Sequence, residues 1–217
     1  MIVTKSENNM QRVLALAGKK GSGKDTLADL LKPRFQRASF ADPLYLEVQK
    51  AFGLADQELL RNRDTKEIPT PQMSLCKCQD IDFLEVCKDL GMDDTAPNSP
   101  RKILQIWGTE YRQVKNSPTY WSDKLVAFLA ENPEIDYCIP DMRFPHEYAA
   151  ILDYSFESDD DVQFDCVKIL RGVEDDSTSG HISENALEGF DIYEAEIENV
   201  DGDPEAMLRS LKNHFMV

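Results

Sequence analysis

The stretch Gly18-Lys19-Lys20-Gly21-Ser22-Gly23-Lys24-Asp25-Thr26 follows directly on the apolar run Val13-Leu14-Ala15-Leu16-Ala17. A short aliphatic strand, a glycine-rich turn and an amphipathic run form the strand–loop–helix unit of an open α/β sheet, and in that context a G-x-x-x-x-G-K pattern binds phosphate. Gly18, Gly21 and Gly23 permit backbone conformations that turn successive N–H groups inward as an anion nest. Lys24 opens the helix, where the dipole and free N–H groups add to the field and the ammonium reaches the terminal phosphates of a nucleoside triphosphate. Leu27, Leu30, Leu31 and Phe35 recur behind it at helical spacing, until Pro33 limits the run. After the lysine this loop has Asp25 where a Ser or Thr hydroxyl normally ligates Mg²⁺, and Thr26 follows. Either side chain is a candidate for the metal, directly or through water.

The rest of the chain must supply the sheet. At 217 residues with 41% hydrophobic content, one α/β core with an insert is expected, not two independent domains. The formal net charge of -16 argues against nucleic acid or an anionic membrane as the main partner. No apolar run reaches the ~20 residues of a membrane helix, and Met1 to Gln11 is too polar for a secretory signal. A soluble, cytoplasmic protein is expected. Cys76, Cys78, Cys87, Cys138 and Cys166 form no regular framework and read as reduced thiols. Zinc on Cys76, Cys78 and Cys87 is the weaker alternative, because a fourth ligand is missing nearby.

Arg37 to Phe40 reads as a second strand and Leu44 to Phe52 as a helix with Pro43 in its first turn. Asp42 between them either faces substrate or caps that helix. Residues 54–99 lose periodicity and form the insert, whose Arg61, Arg63 and Lys66 suit a lid or a solvated face. The helix from Pro100 to about Gln113 aligns Arg101, Gln105, Thr109 and Arg112 on one stripe, opposite Ile103, Leu104, Trp107 and Tyr111. The stripe is either a binding face or simply solvated. Gly108 within it, costly in a helix, suits close approach of a ligand, and arginine suits bidentate phosphate recognition. Trp121, at the start of the next helix, either stacks on a base or packs in the core.

Ile135 to Pro140 reads as a strand delivering Asp141 and Arg143 at its carboxyl end, with Glu147 in the first turn of the following helix. An acid there orients Mg²⁺ or its waters, or caps the helix and pairs with Arg143, which in turn suits charge on a moving phosphoryl group. Glu157 to Asp161 is an acidic loop. Val162 to Leu170 is a strand that brings Arg171 to the crevice, Tyr193 to Asn199 is a last strand, and Asp203 starts a last helix. His181 reads as structural.

Several phrases then occur in order: Ser22 to Thr26, Phe40-Ala41-Asp42-Pro43-Leu44, Leu104 to Glu110, Tyr120-Trp121, Pro140 to Glu147 and His181-Ile182-Ser183-Glu184. Together they resemble the phage-type deoxynucleoside monophosphate kinases, in which Lys-Asp-Thr is the usual end of the loop. The resemblance implies a three-layer P-loop fold with a mostly parallel sheet, akin to adenylate kinases, and γ-phosphate transfer from ATP to a deoxynucleoside monophosphate. It implies that Gly23, Lys24, Asp25 and Thr26 hold ATP and metal; the reading of the residues adds Gly21 and Arg171 to the ATP site and Asp141, with Asp25 and Thr26, to the Mg²⁺. It further implies that Lys20, Arg101, Gly108, Thr109 and Trp121 surround the monophosphate, with Asp141, Arg143 and Glu147 at the junction; the reading of the residues adds Asp42, Gln105 and Arg112 to the monophosphate site and makes Lys24, Asp141 and Arg143 catalytic. A homodimer, and the host cytoplasm for a phage protein, are compatible with it. Another small-molecule kinase, of the phosphomevalonate or dephospho-coenzyme A type, would share the loop. So would a non-catalytic nucleotide-binding protein, whereas an acidic decoy would not need it.

Overall fold

The structure is a computed structural model that describes residues 10–158, 162–171, 187, 189–200 and 203–215. His181 to Glu184 lie outside them, as does the end of the acidic loop. Contacts divide the chain into two compact units: residues 1–40 with 125–217, and residues 41–124.

The first unit is built on a five-stranded, all-parallel sheet in the order β2-β3-β1-β4-β5. Its strands are β1 (Gln11–Ala17), β2 (Gln36–Arg37), β3 (Tyr137–Ile139), β4 (Val162–Arg171) and β5 (Ala195–Asn199). The alternation of β1 decides the layers. Val13, Ala15 and Ala17 pack with Leu125, Leu129, Ile151 and Tyr154, which come from helices α6 (Tyr120–Ala130) and α7 (Pro145–Glu157). Leu14 and Leu16 face the other way, onto Leu27, Leu31, Met207 and Leu211, from α1 (Lys24–Leu30) and α8 (Pro204–His214). Helices therefore cover both faces, as a parallel sheet requires, and the α/β class expected from the loop holds. β2 is shorter than the expected strand, and β5 begins two residues later.

Gln11 is fully buried at the start of β1. Its amide donates to the carbonyls of Leu129, Asn132 and Ile135 and its oxygen accepts the Tyr154 hydroxyl at 2.8 Å. One polar side chain thus satisfies the end of α6 and the turn into β3, which would otherwise bury unpaired carbonyls.

The second unit contains α2 (Asp42–Ala51), α3 (Glu58–Arg61), α4 (Ile81–Asp89) and α5 (Pro100–Ile106), the last running on into a π-helical stretch, Trp107–Gln113. Its core joins Val48, Leu60, Met73, Phe83, Ile103 and Trp107. α4 lies where sequence periodicity was lost; Asp80 caps it, accepting the Phe83 N–H at 2.9 Å. All five cysteines are free and only Cys76 is exposed. Burial pushes Cys78 up to about 11 and Cys87 to about 12, so both stay thiols. No group of three metal-ligating side chains occurs among the described residues. Nor, among them, is any helix long and apolar enough to cross a membrane.

Candidate functional site

In the sheet unit the glycine-rich loop leaves the carboxyl end of the central strand. Gly18 has φ 138°, and a Cβ there would lie 2.5 Å from the Ile169 carbonyl oxygen on β4. Gly23, with φ 104°, is the N-cap of α1, and a Cβ there would meet Asn199 Nδ2 at 2.5 Å. Both backbone conformations favour glycine, and at Gly18 the fixed carbonyl leaves no space for a side chain, whereas at Gly23 the neighbour is the Asn199 side chain. The Lys24 ammonium lies over the loop, donating to the carbonyls of Gly18 at 2.6 Å and Lys19 at 2.8 Å and to Ser22 Oγ at 3.3 Å. Arg171 donates to the Gly21 carbonyl at 2.9 Å and Asn199 to that of Ser22 at 2.8 Å. Phosphate is held by N–H groups, so a cradle for it needs its carbonyls occupied elsewhere. Lys20 is exposed on the loop.

Beside the loop, Gly21, Gly23, Thr26, Arg171, Asn199 and Met207 line a cavity of about 220 Å³. Asp25, just outside it, is ion-paired with Arg37 at the end of β2. Asp25 thus has Arg37 as a cationic partner, while Lys24 is engaged with the loop.

Asp141 follows β3 by two residues. Ile139 is in register with Ala15, so Asp141 leaves the sheet at the level where β1 gives way to the loop. Its carboxylate accepts Ser39 Oγ at 2.5 Å and the Phe40 N–H at 3.2 Å. Arg143 comes next, and its backbone is held by Glu147: one carboxylate oxygen accepts the N–H groups of Arg143 and Phe144 at 2.6 and 3.0 Å. Glu147 is only 8% exposed, and burial pushes its carboxyl up to about 8. The side chain closes the turn that carries Asp141 and Arg143 into α7. Thr26 and Asp141 offer hard oxygen donors, which suit Mg²⁺ because that ion takes one or two protein ligands beside phosphate oxygens and water.

The second unit carries the remaining predicted residues. Asp42 is the first residue of α2 and pairs with Arg61 at 2.6 Å; it supplies no cap bond. Arg101 pairs with Glu67 at 2.8 Å on an exposed face, and Gln105 and Thr109 are exposed too. Arg112 is not in line with them. The chain turns π-helical at Trp107, each hydrogen-bonded ring enclosing one residue more than in an α-helix, and the single straight stripe ends there. Arg112 instead rotates inward over the Tyr111, Tyr120 and Trp107 rings, its carbon 4.1, 5.3 and 5.6 Å from their centroids. It donates to Glu47 at 2.7 Å.

Glu47 also accepts the Trp107 indole N–H at 2.9 Å and the Tyr120 hydroxyl at 2.6 Å. Trp121 is 9% exposed and donates its indole N–H to the Gly108 carbonyl at 3.1 Å. A Cβ on Gly108 would meet only ordinary contacts, 3.6 Å from Leu44 and 3.8 Å from Trp121.

Thus Gly21, Gly23, Lys24, Asp25, Thr26, Arg171, Asp141, Arg143 and Glu147 belong to the sheet unit, and Asp42, Arg101, Gln105, Gly108, Thr109, Arg112 and Trp121 to the other. Sequence reading missed Asn199 and Glu47. The logic that singled out Arg171, a polar residue ending a parallel strand, applies equally to Asn199. Nothing local marks Glu47, whose partners lie far along the chain.

These features define an α/β protein organised around a strand–glycine loop–helix unit at the carboxyl edge of a parallel sheet. No family model matches the chain. Over 199 residues it is 28% identical to a protein of Acanthamoeba polyphaga mimivirus named "Putative deoxynucleotide monophosphate kinase", an alignment covering 86% of this chain and 88% of that protein. This similarity agrees with the resemblance carried by the motifs.

Proposed function

We propose that the chain is a nucleotide kinase that transfers the γ-phosphoryl group of ATP to a deoxynucleoside monophosphate, giving the diphosphate and ADP for deoxynucleotide supply. One observation carries the reading: Lys24 and its glycine loop end the strand beside the one that delivers Asp141, in a chain similar along most of its length to a protein named for that activity.

Phosphoryl transfer asks little covalent chemistry of a protein; it asks for two anions held in line and for charge to be absorbed. Gly21, Gly23 and Lys24 hold the triphosphate, Lys24 exchanging loop carbonyls for phosphate oxygens. Asp25, Thr26 and Asp141 would hold Mg²⁺, which when bound neutralises charge on the transferring group. Arg143, on the turn fixed by Glu147, faces the developing charge, and Arg171 braces the loop. In the second unit Arg101, Gln105, Thr109 and Asp42 remain available to the monophosphate, as does Lys20 on the loop of the sheet unit, while Trp121 holds the Gly108 carbonyl. Arg112 acts through Glu47 and its aromatic neighbours.

A coupled ADP-release assay across the common deoxynucleoside and ribonucleoside monophosphates, with phosphomevalonate and dephospho-coenzyme A as further acceptors, tests the proposal. Turnover with at least one deoxynucleoside monophosphate is expected. ATP binding without turnover on any nucleotide, or turnover on the other acceptors alone, would overturn it.

A further inference from the structure

Arg171 and Asn199 end neighbouring parallel strands, and they are register partners there. Their side chains donate to consecutive carbonyls of the glycine loop, Arg171 to Gly21 and Asn199 to Ser22. Ser22 is 3% exposed, so its carbonyl needs a protein partner. Asn199 also fills the space a Cβ on Gly23 would claim, at 2.5 Å, and lines the adjoining cavity with Thr26 and Arg171. Hydrogen bond, steric contact and cavity wall thus converge on one side chain that the sequence reading passed over.

We propose that Asn199 is a positioning residue of the phosphate loop, holding the Ser22 carbonyl toward β5 so that the Gly23 N–H of the same peptide faces a triphosphate. The role rests on the ATP reading above. It acts through backbone geometry: turning one carbonyl of a short loop fixes the peptide plane that also carries the Gly23 N–H. The amide is chosen for its donor. A carboxylate of the same size would set negative charge against a carbonyl oxygen and near the phosphates.

The test compares full-length wild type with Asn199→Ala, Asn199→Asp and Asn199→Gln. Equilibrium binding of ATP and of inorganic tripolyphosphate is measured without Mg²⁺, beside melting temperature and amide hydrogen exchange over residues 18–26. Loss of a hydrogen bond that satisfies a buried carbonyl should weaken ATP about tenfold in Asn199→Ala. Asn199→Asp should weaken it more, and Asn199→Gln should recover part of the loss. Tripolyphosphate should follow ATP, because the effect lies in the phosphate cradle, and exchange at the loop should rise while the sheet stays protected. Unchanged affinity in Asn199→Ala and Asn199→Asp, with the wild type binding ATP, overturns the positioning role alone. A variant that loses melting temperature but binds both probes like wild type overturns it too, assigning Asn199 to stability. Failure of the wild type itself to bind ATP overturns the proposed function and this role together.

Discussion

Replacing Glu147 by Gln should flatten the pH dependence of stability between about 4.5 and 8. The side chain is 8% exposed and accepts two backbone N–H groups. Burial outweighs those bonds and raises the carboxyl from 4.5 to about 8, with the Asp141 carboxylate acting in the same direction. Since the folded value lies above the unfolded one, the folded chain keeps a proton through this window that the unfolded chain has released. The associated stability is full below pH 4.5, falls as pH rises, and is gone above about 8. At roughly 1.4 kcal/mol per pH unit, the window from 4.5 to about 8 is worth on the order of 5 kcal/mol. Gln retains an oxygen for both N–H groups and removes the titration; Glu147→Ala orphans both donors at about 1–3 kcal/mol each. Urea unfolding of the three proteins from pH 5 to 9 is the assay. The wild-type-minus-Gln difference should turn against wild type by several kcal/mol as pH rises. A difference independent of pH would refute burial as the dominant effect, and one that favours wild type at high pH would show that the two N–H partners stabilise the carboxylate.

Lys24→Ala should abolish phosphoryl transfer and leave the melting temperature near wild type, because it removes a partly exposed ammonium and no core volume; wild-type turnover would end the phosphate-loop reading. Arg112→Ala should destabilise by roughly 2 kcal/mol in a melt, since it removes the nearest charged donor of the largely buried Glu47 carboxylate and leaves only the Lys124 ammonium at 3.9 Å. Arg101→Ala should cost under about 1 kcal/mol, as exposed pairs do, and raise KM for the monophosphate; equal melts for the two variants would reject the inward role of Arg112. Asp25→Ala should raise the Mg²⁺ concentration for half-maximal rate, with Asp25→Ser recovering part of the rate. An unchanged Mg²⁺ titration in Asp25→Ala, beside lost activity in Thr26→Ala, would give the metal to Thr26 alone.

The sheet unit was largely legible because its signals are local. An aliphatic run, a glycine turn and a leucine stripe fix β1, the loop and α1, and Pro145 and Pro204 mark helix starts whose second partners are backbone groups nearby. The same holds for Asp141 and Arg171, which needed only the rule that parallel strands present their carboxyl ends to ligands. The second unit was less legible. α4 turns Phe83 and Cys87 inward and Asp82, Glu85 and Lys88 outward, but at nine residues between turn-rich stretches its period is too short to stand out from the insert. The inward turn of Arg112 depends on a change of helix type at Trp107, which a fixed 100° step cannot register. Glu47 gathers donors from residues 107, 112 and 120, a convergence that exists only after packing.

The widened turn at Trp107–Gln113 also bears on how this segment tolerates length change. A π-helical ring stores one residue beyond what an α-helix would use, so deleting a residue there can be absorbed by reversion to regular α-helix, with the flanking segments Pro100–Ile106 and Tyr120–Ala130 keeping their phase. Deleting a residue from either flank has no such reserve and would rotate its apolar side out of the core. Aligned to a relative whose helix is regular, position 112 would then sit opposite a residue on another face, and an arginine matched there by column would be matched to the wrong neighbours.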